Sequence, residues 1–201
     1  MNHVFDIFPT PVFYTSILRT WTEEELNYFD KVSKNTTSNL GGNELSIDRN
    51  VLDNSACDDL KAFINSQLKV YMQEIVRPKY HVDFVITQSW LNWTTENKAH
   101  HKHNHPNSIV SGVLYINAEN DSINFYNETF HQLRIPADSN NQWNAVTWPI
   151  SVTTGDLIIF PSHLTHGVDY KKGKNTRCSL AFNTFVKGTL GSYDESTLLY
   201  I

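Results

Sequence analysis

Hydrophobic and polar positions follow a helical period in the first 82 residues. The segment Thr22–Glu25 has the form of a capping box and predicts a helix that reaches about Lys34. Apolar residues recur at helical spacing in a second segment, at Leu60, Phe63, Ile64 and Leu68. They predict a helix that continues to about Val76. Between the two helices, Asn35–Asn54 is rich in Asn, Gly and Ser and is predicted to be a loop that turns at Gly41-Gly42.

After residue 82 the pattern changes to short β-forming segments divided by turn residues. The predicted strands are Asp83–Trp93, Ser108–Asn117, Ser122–Tyr126, Gln132–Ile135, Val146–Thr153, Asp156–Phe160 and Arg177–Phe185. Short strands with no helical pattern between them predict an antiparallel sandwich or barrel, such as a jelly roll. The sequence therefore predicts a mainly β, α+β fold in which the N-terminal helices pack on one face of a sheet.

Composition and charge narrow the class of protein. A chain of 201 residues, 40% of them hydrophobic, predicts one domain over 1–201 that needs neither a disulfide nor a metal to fold. The formal charge is −5 and no Lys/Arg run occurs, which argues against nucleic-acid binding and against a polybasic membrane anchor. Cys57 and Cys178 are the only cysteines, as is typical of a reducing cytoplasm. We therefore expect a soluble cytoplasmic protein whose metal, if it has one, serves function.

Histidines concentrate at two places in the predicted β region. Seven of the nine lie between positions 100 and 166, and four of these fall within 100–105. Residues i and i+2 of an extended segment share a face, so either His101 with His103 or His103 with His105 could offer two imidazoles to one metal. We favour the second pair, because the turn into the next strand then begins directly after it. His166 follows about 60 residues later, and a jelly roll can bring it alongside to complete a facial triad with open coordination positions.

Together these motifs resemble the 2-oxoglutarate- and Fe(II)-dependent oxygenases of the double-stranded β-helix fold. The matching residues are His103-x-His105, Ser111–Ile116, Gly155–His166 and Arg177-x-Ser179, with a weaker match at Phe8-Pro9-Thr10-Pro11. The resemblance is to a branch of this family with the motif HxHPxSxxSGVxY. It implies a cupin-like jelly-roll core at 83–188, supported by the helical region 1–82. It also implies a dioxygenase that takes 2-oxoglutarate and O2, hydroxylates an unidentified substrate, and releases succinate and CO2.

The resemblance assigns the metal ligands. His103 and His166 match iron ligands of the family, and His105 stands where the family usually has Asp or Glu. All three are therefore predicted to bind Fe(II) and to form the catalytic centre. The departure matters because three neutral imidazoles leave the +2 charge of the ion uncompensated, although imidazole suits divalent iron.

The resemblance also implies a site for the distal carboxylate of 2-oxoglutarate. Arg177 lies eleven residues after His166, where the family places the basic residue that holds this carboxylate. A guanidinium suits the role because its planar fork donates two parallel hydrogen bonds to a carboxylate. Ser179 shares a strand face with Arg177, and Tyr115 stands where the family often has a tyrosine. Both are predicted to bind the same group, and ordinary core packing is the alternative role for each.

Two other functions fit the histidines. A triad of three histidines also occurs in cupin dioxygenases that use no 2-oxoglutarate, and Gly155–His166 fits a cupin motif as well. A non-catalytic jelly-roll module could instead use the histidines to hold a ligand or a structural zinc. The sequence carries no indication of the primary substrate or of the oligomeric state.

Overall fold

The computed structural model describes residues 2–128 and 135–201. The helices are α1 (Glu23–Ser33) and α2 (Asp58–Tyr71), with short 3-10 turns at Val51–Asp53 and Ser55–Cys57 and a π-helical turn at Met72–Val76. The strands are β1 (Phe13–Ser16), β2 (Thr36–Ser38), β3 (Glu44–Ser46), β4 (Val82–Thr94), β5 (His100–His103), β6 (Val110–Asn117), β7 (Asp121–Tyr126), β8 (Thr147–Val152), β9 (Asp156–Pro161), β10 (His166–Val168), β11 (Arg177–Leu190) and β12 (Leu199–Tyr200). No helix within the described residues is long and apolar enough to cross a membrane.

The strands form two antiparallel sheets. The larger has the order β1-β9-β6-β11-β4-β3-β2, with β12 paired to β11, and the smaller has the order β5-β10-β7-β8. Neighbours in the larger sheet, such as β6 beside β11 and β9, are distant in sequence, as expected for a jelly roll. The predicted mainly β, jelly-roll fold class is confirmed.

The two faces of the larger sheet bury different residues. One face packs against the helices in an apolar cluster that includes Phe29, Leu60, Ile64, Leu91, Leu114, Leu180 and Phe182. The opposite face meets the smaller sheet through a second cluster that includes Tyr115, Ile123, Phe125, Ile158 and Phe160. Because side chains alternate along a strand, β4, β6 and β11 contribute to both faces. The functional side chains described below lie on the face toward the smaller sheet.

Local interactions fix the start of α1. Thr22 accepts from the backbone N–H of Glu25, and the Glu25 carboxylate accepts from the Thr22 backbone N–H at 2.7 Å, which completes the capping box. Arg19 donates to the same carboxylate at 2.9 Å. Glu25 is 1% exposed, and burial alone would raise its pKa. The hydrogen bonds from Arg19 and Thr22 outweigh that effect and lower the pKa.

The prediction of a loop over 35–54 is wrong in part. Strands β2 and β3 form a hairpin there, and β3 extends the larger sheet by pairing with β4. The residues Thr-Thr-Ser and Glu-Leu-Ser show no apolar alternation, so the hairpin has no hydrophobic pattern of its own. The predicted strand Gln132–Ile135 lies outside the described residues except for its last position, which is not in a strand. Strand β5, of sequence His-His-Lys-His, was likewise not among the predicted strands.

Candidate active site

Three histidines lie together at the end of the pair formed by β5 and β10 in the smaller sheet. His103, the last residue of β5, is the direct cross-strand partner of His166, the first residue of β10. His105 follows β5, and its backbone N–H donates to the Ser162 carbonyl at 2.9 Å. Potential ligand nitrogens of the three side chains all lie within 4.8 Å of one another, and the described part of the chain holds no second such group of His, Cys, Asp or Glu. His101 packs beside His103, with 5.1 Å between ring centroids, but is not in this group.

Hydrogen bonds set the proton positions on two of these rings. Nδ1 of His103 lies 2.8 Å from the carbonyl oxygen of His101, and Nδ1 of His166 lies 2.9 Å from that of Leu164. A carbonyl only accepts, so each Nδ1 carries the proton and each Nε2 presents a lone pair. Nε2 of His166 is 3.2 Å from Nε2 of His105. Two nitrogens each ~2.1 Å from one ion, about 100° apart, would have this separation, so the donor set fits a metal.

Burial favours the neutral form of the three imidazoles. His166 is 4% exposed, and burial, followed by the proximity of His103, lowers its pKa to about 3. The pKa of His105 is lowered to about 4 by burial and then by His103, and burial lowers the pKa of His103 as well. Phe160 packs edge-on against His166 at 4.6 Å, and Trp90 lies 5.7 Å from His105, measured between ring centroids. Neutral imidazole is the form that binds metals.

A buried guanidinium lies close to this cluster. Arg177 is 3% exposed, begins β11 opposite Thr94, and donates through Nη2 to Thr94 Oγ1 at 3.2 Å. Nη1 has no hydrogen-bond partner, and no acidic residue of the described chain forms an ion pair with Arg177. The ring of His100 stacks on that of His103 at 4.4 Å. Burial, then His103, then the charge of Arg177 lower the pKa of His100 to about 2. A buried cation is costly unless it is paired, so Arg177 fits an anion that binds beside the triad.

The structure places Ser179 and Tyr115 on the same sheet face as Arg177. Ser179 is two residues along β11, and Tyr115 on β6 is its direct cross-strand partner. Both are buried. Burial raises the pKa of Tyr115, while the charge of Arg177 opposes that shift. The geometry is consistent with a carboxylate site and also with core packing.

Two polar residues of β4 lie on this face. Thr94 is opposite Arg177, and Asn92 is opposite Ser179. Asn92 is 4% exposed and its Oδ1 has no hydrogen-bond partner in the described residues. Polar residues at alternate positions of an otherwise buried strand are the sequence feature that indicates them.

A hydrogen-bonded network connects β6 and β11 to the backbone that carries His105. Ser111 donates to Asn183 Oδ1 at 2.8 Å, and its hydroxyl also lies 2.8 Å from that of Ser162. Ser162 donates to Ser108 at 2.7 Å. Since the Ser162 carbonyl accepts from His105, the network fixes the position of one member of the triad. Asn183 of β11 belongs to this network.

The segment 88–183, slightly less than half of the chain, matches the model of a family described as "Putative 2OG-Fe(II) oxygenase". It runs from β4 to β11 and includes the three histidines and Arg177. Residues 88–183 are thus similar to this oxygenase family. No curated protein sequence matches the chain significantly.

Several solved structures resemble most of the chain in fold. A Pseudomonas putida prolyl-4-hydroxylase is 16% identical, with a TM-score of 0.54 over 87% of this chain and 92% of that one. HygX from Streptomyces hygroscopicus, with nickel and 2-oxoglutarate bound, is 13% identical, with a TM-score of 0.56 over 87% and 82%. The epimerase SnoN from nogalamycin biosynthesis is 10% identical, with a TM-score of 0.59 over 88% and 78%. At these identities the similarity establishes the fold.

Proposed function

We propose that this chain is an Fe(II)- and 2-oxoglutarate-dependent dioxygenase that hydroxylates a substrate still to be identified, in the branch with the motif HxHPxSxxSGVxY. The observation that carries the proposal is the buried guanidinium of Arg177, which has a free Nη1 and no acidic partner in the described chain. A triad of histidines alone suits many metalloenzymes. A receptor for a carboxylate beside the triad is the further feature that 2-oxoglutarate requires.

In this proposal His103, His105 and His166 hold the iron. Nε2 of His103 and of His166 and one ring nitrogen of His105 would be its protein ligands. Iron held there would supply the oxidation chemistry in which O2 and 2-oxoglutarate are consumed and succinate and CO2 are formed. The carbonyls of His101 and Leu164 hold two of the rings in the tautomer that binds metal.

Arg177 orients the co-substrate by binding its distal carboxylate. Thr94 holds one arm of the guanidinium, which leaves the other arm for the ligand. Ser179 and Tyr115 donate hydroxyl hydrogen bonds to the same carboxylate. Trp90 and Phe160 pack on the histidine rings and exclude water from the metal side of the site. The solved structures support this ligand set, since HygX contains nickel with 2-oxoglutarate and SnoN contains Fe3+ with alpha ketoglutarate.

The geometry favours this function over the two alternatives. A cupin enzyme without 2-oxoglutarate would have no use for an unpaired buried cation beside its metal. A structural zinc site has four protein ligands, whereas the histidine group in the described residues has three.

An anaerobic titration tests the proposal. Metal-free protein receives Fe(II) and then 2-oxoglutarate, and the weak visible charge-transfer band of the iron chelate is measured. We expect the band in the wild type and in His101→Ala, a control from the same strand that lies outside the triad. We expect its loss in His103→Ala and in His166→Ala. Tight iron binding with no band would favour the cupin alternative, and no iron binding would favour the non-catalytic module.

A further inference from the structure

Buried polar atoms without partners concentrate on three neighbouring strands of the larger sheet. In the described residues, six buried side-chain nitrogen or oxygen atoms have no hydrogen-bond partner: Nδ2 and Oδ1 of Asn43, Oδ1 of Asn92, Nδ1 of His101, Nδ2 of Asn175 and Nη1 of Arg177. Four of the six belong to Asn43, Asn92 and Arg177. Since buried polar groups in folded proteins are normally hydrogen-bonded, this concentration marks a place where a ligand supplies the partners.

Strand register places Asn43 on the same face as Arg177. On β3, Glu44 is opposite Trp93 of β4, and Leu45 is opposite Asn92. Continuing this register one residue beyond β3 puts Asn43 beside Thr94, whose other neighbour is Arg177. Directly opposed side chains share a face of the sheet. Asn43 and Arg177 are thus two strand spacings apart, about 10 Å between Cα atoms, and their side chains can reach a common ligand between them.

The backbone around Asn43 is fixed against the strand that carries the histidines. The Asn43 carbonyl accepts from the Asn39 N–H at 2.9 Å, and the Ala99 N–H donates to the Gly41 carbonyl at 2.9 Å. A Cβ on Gly41 would lie 2.1 Å from the Ala99 carbonyl oxygen, so only glycine allows this close approach. Asn43 itself is 1% exposed. Its side-chain amide is therefore held in a buried position with neither polar atom hydrogen-bonded. Such a group destabilises the fold until a partner binds.

We propose that Asn43 is a further co-substrate-binding residue, whose Nδ2 donates to the distal carboxylate of 2-oxoglutarate beside Nη1 of Arg177. The inference rests on the proposed function. Two N–H donors from opposite sides match the two oxygens of one carboxylate. Asn43 lies outside 88–183, so the N-terminal region contributes a binding group to a site whose other residues lie within that segment.

The test compares two 2-oxo acids that differ only at the far end. 2-Oxoglutarate and 2-oxopentanoate chelate iron through the same atoms, but 2-oxopentanoate has no distal carboxylate. Their dissociation constants are measured anaerobically from the chelate band in wild type, Asn43→Ala and Asn43→Asp. We expect Asn43→Ala to weaken 2-oxoglutarate about tenfold, as for a lost hydrogen bond to a charged group, and to leave 2-oxopentanoate unchanged. The near-isosteric Asn43→Asp should weaken 2-oxoglutarate further, because its carboxylate competes for Arg177.

Ser46→Ala is the matched control. Ser46 is fully buried on the same strand and faces the opposite way, where its hydroxyl accepts from the Leu91 N–H. This variant perturbs β3 without touching the pocket and should bind both 2-oxo acids as the wild type does. If both Asn43 variants bind 2-oxoglutarate normally, or lose both 2-oxo acids equally, the inference is wrong. A wild type that shows no band with either acid would overturn the proposed function itself, which is a different result.

Discussion

Replacing Arg177 with leucine should weaken the binding of 2-oxoglutarate without lowering the stability of the metal-free protein. The buried guanidinium has one hydrogen bond to Thr94 and no acidic partner among the described residues. A hydrogen bond from Nη1 to a bound carboxylate, worth about 1.5–3 kcal/mol for a charged group, corresponds to roughly 10–10² in affinity. We therefore expect Arg177→Leu to weaken 2-oxoglutarate by at least about tenfold.

The same substitution removes a buried cation that forms no ion pair with any acidic residue in 2–128 or 135–201. Replacing buried ionic groups with apolar residues is often neutral or stabilising by about 1–4 kcal/mol. Leucine leaves a small void and ends the contact with Thr94, which offset part of that gain. We expect metal-free Arg177→Leu to be at least as stable as the wild type in urea denaturation.

The two measurements are made on the same preparation. Urea denaturation gives the free energy of unfolding, and the anaerobic chelate titration gives the affinity for 2-oxoglutarate. Arg177→Lys is the matched control, since it keeps the charge but loses the fork of donors and should show an intermediate affinity. A loss of more than about 1 kcal/mol of stability in Arg177→Leu, or an unchanged affinity, would refute the assignment of Arg177 as an unpaired receptor for a carboxylate.

Three other substitutions test separate parts of the structure. In Gly112→Ala the new Cβ would lie 2.2 Å from the ring of fully buried Phe182. Chemical denaturation should therefore show a free energy of unfolding lower by about 1–3 kcal/mol, and a decrease under about 0.5 kcal/mol would contradict this packing. Glu25→Gln breaks the pair with Arg19 and should lower stability. The folded-state pKa of Glu25 is lowered. The stabilisation from its charged carboxylate is therefore present above the unfolded pKa near 4.5 and is lost as the pH falls through the folded value. The free energy of unfolding of Glu25→Gln should accordingly depend less on pH in that acid range than that of the wild type. His105→Asp restores a carboxylate to the triad and should keep iron binding and the chelate band, whereas loss of both would show that aspartate cannot reach the ion from this backbone position.

The sequence predicted the elements that have hydrophobic periodicity or a capping motif. The helix at 23–33 begins at its predicted capping box, and the buried strand at 156–161 corresponds to a continuous apolar run. Strand β5 has no hydrophobic residue at all, and β10 has three residues. Both form because longer neighbours pair with them, and such tertiary pairing leaves no periodic pattern in the strand itself.

Residues of the candidate site could be predicted from the sequence where the side chain is of a type that commonly binds metals. His103, His105 and His166 could be singled out because imidazoles at alternate positions suit a metal, although spacing alone left His101 as an alternative. Asn43 had no such signal, since asparagine after two glycines is typical of an ordinary turn. Its place beside Thr94 follows from the pairing of β3 with β4, which depends on the folded chain.

Successive side chains of β11 point to opposite faces of the sheet, so the two faces of this strand can be altered separately by substitution. Arg177 and Ser179 face the site, while Cys178 and Leu180 between and after them pack in the cluster with the helices. Adjacent positions in this strand therefore meet different physical requirements, polar contacts on one face and apolar packing on the other. Substitutions at Arg177 or Ser179 therefore change the polar face of the strand and leave the apolar packing between the sheet and the helices in place.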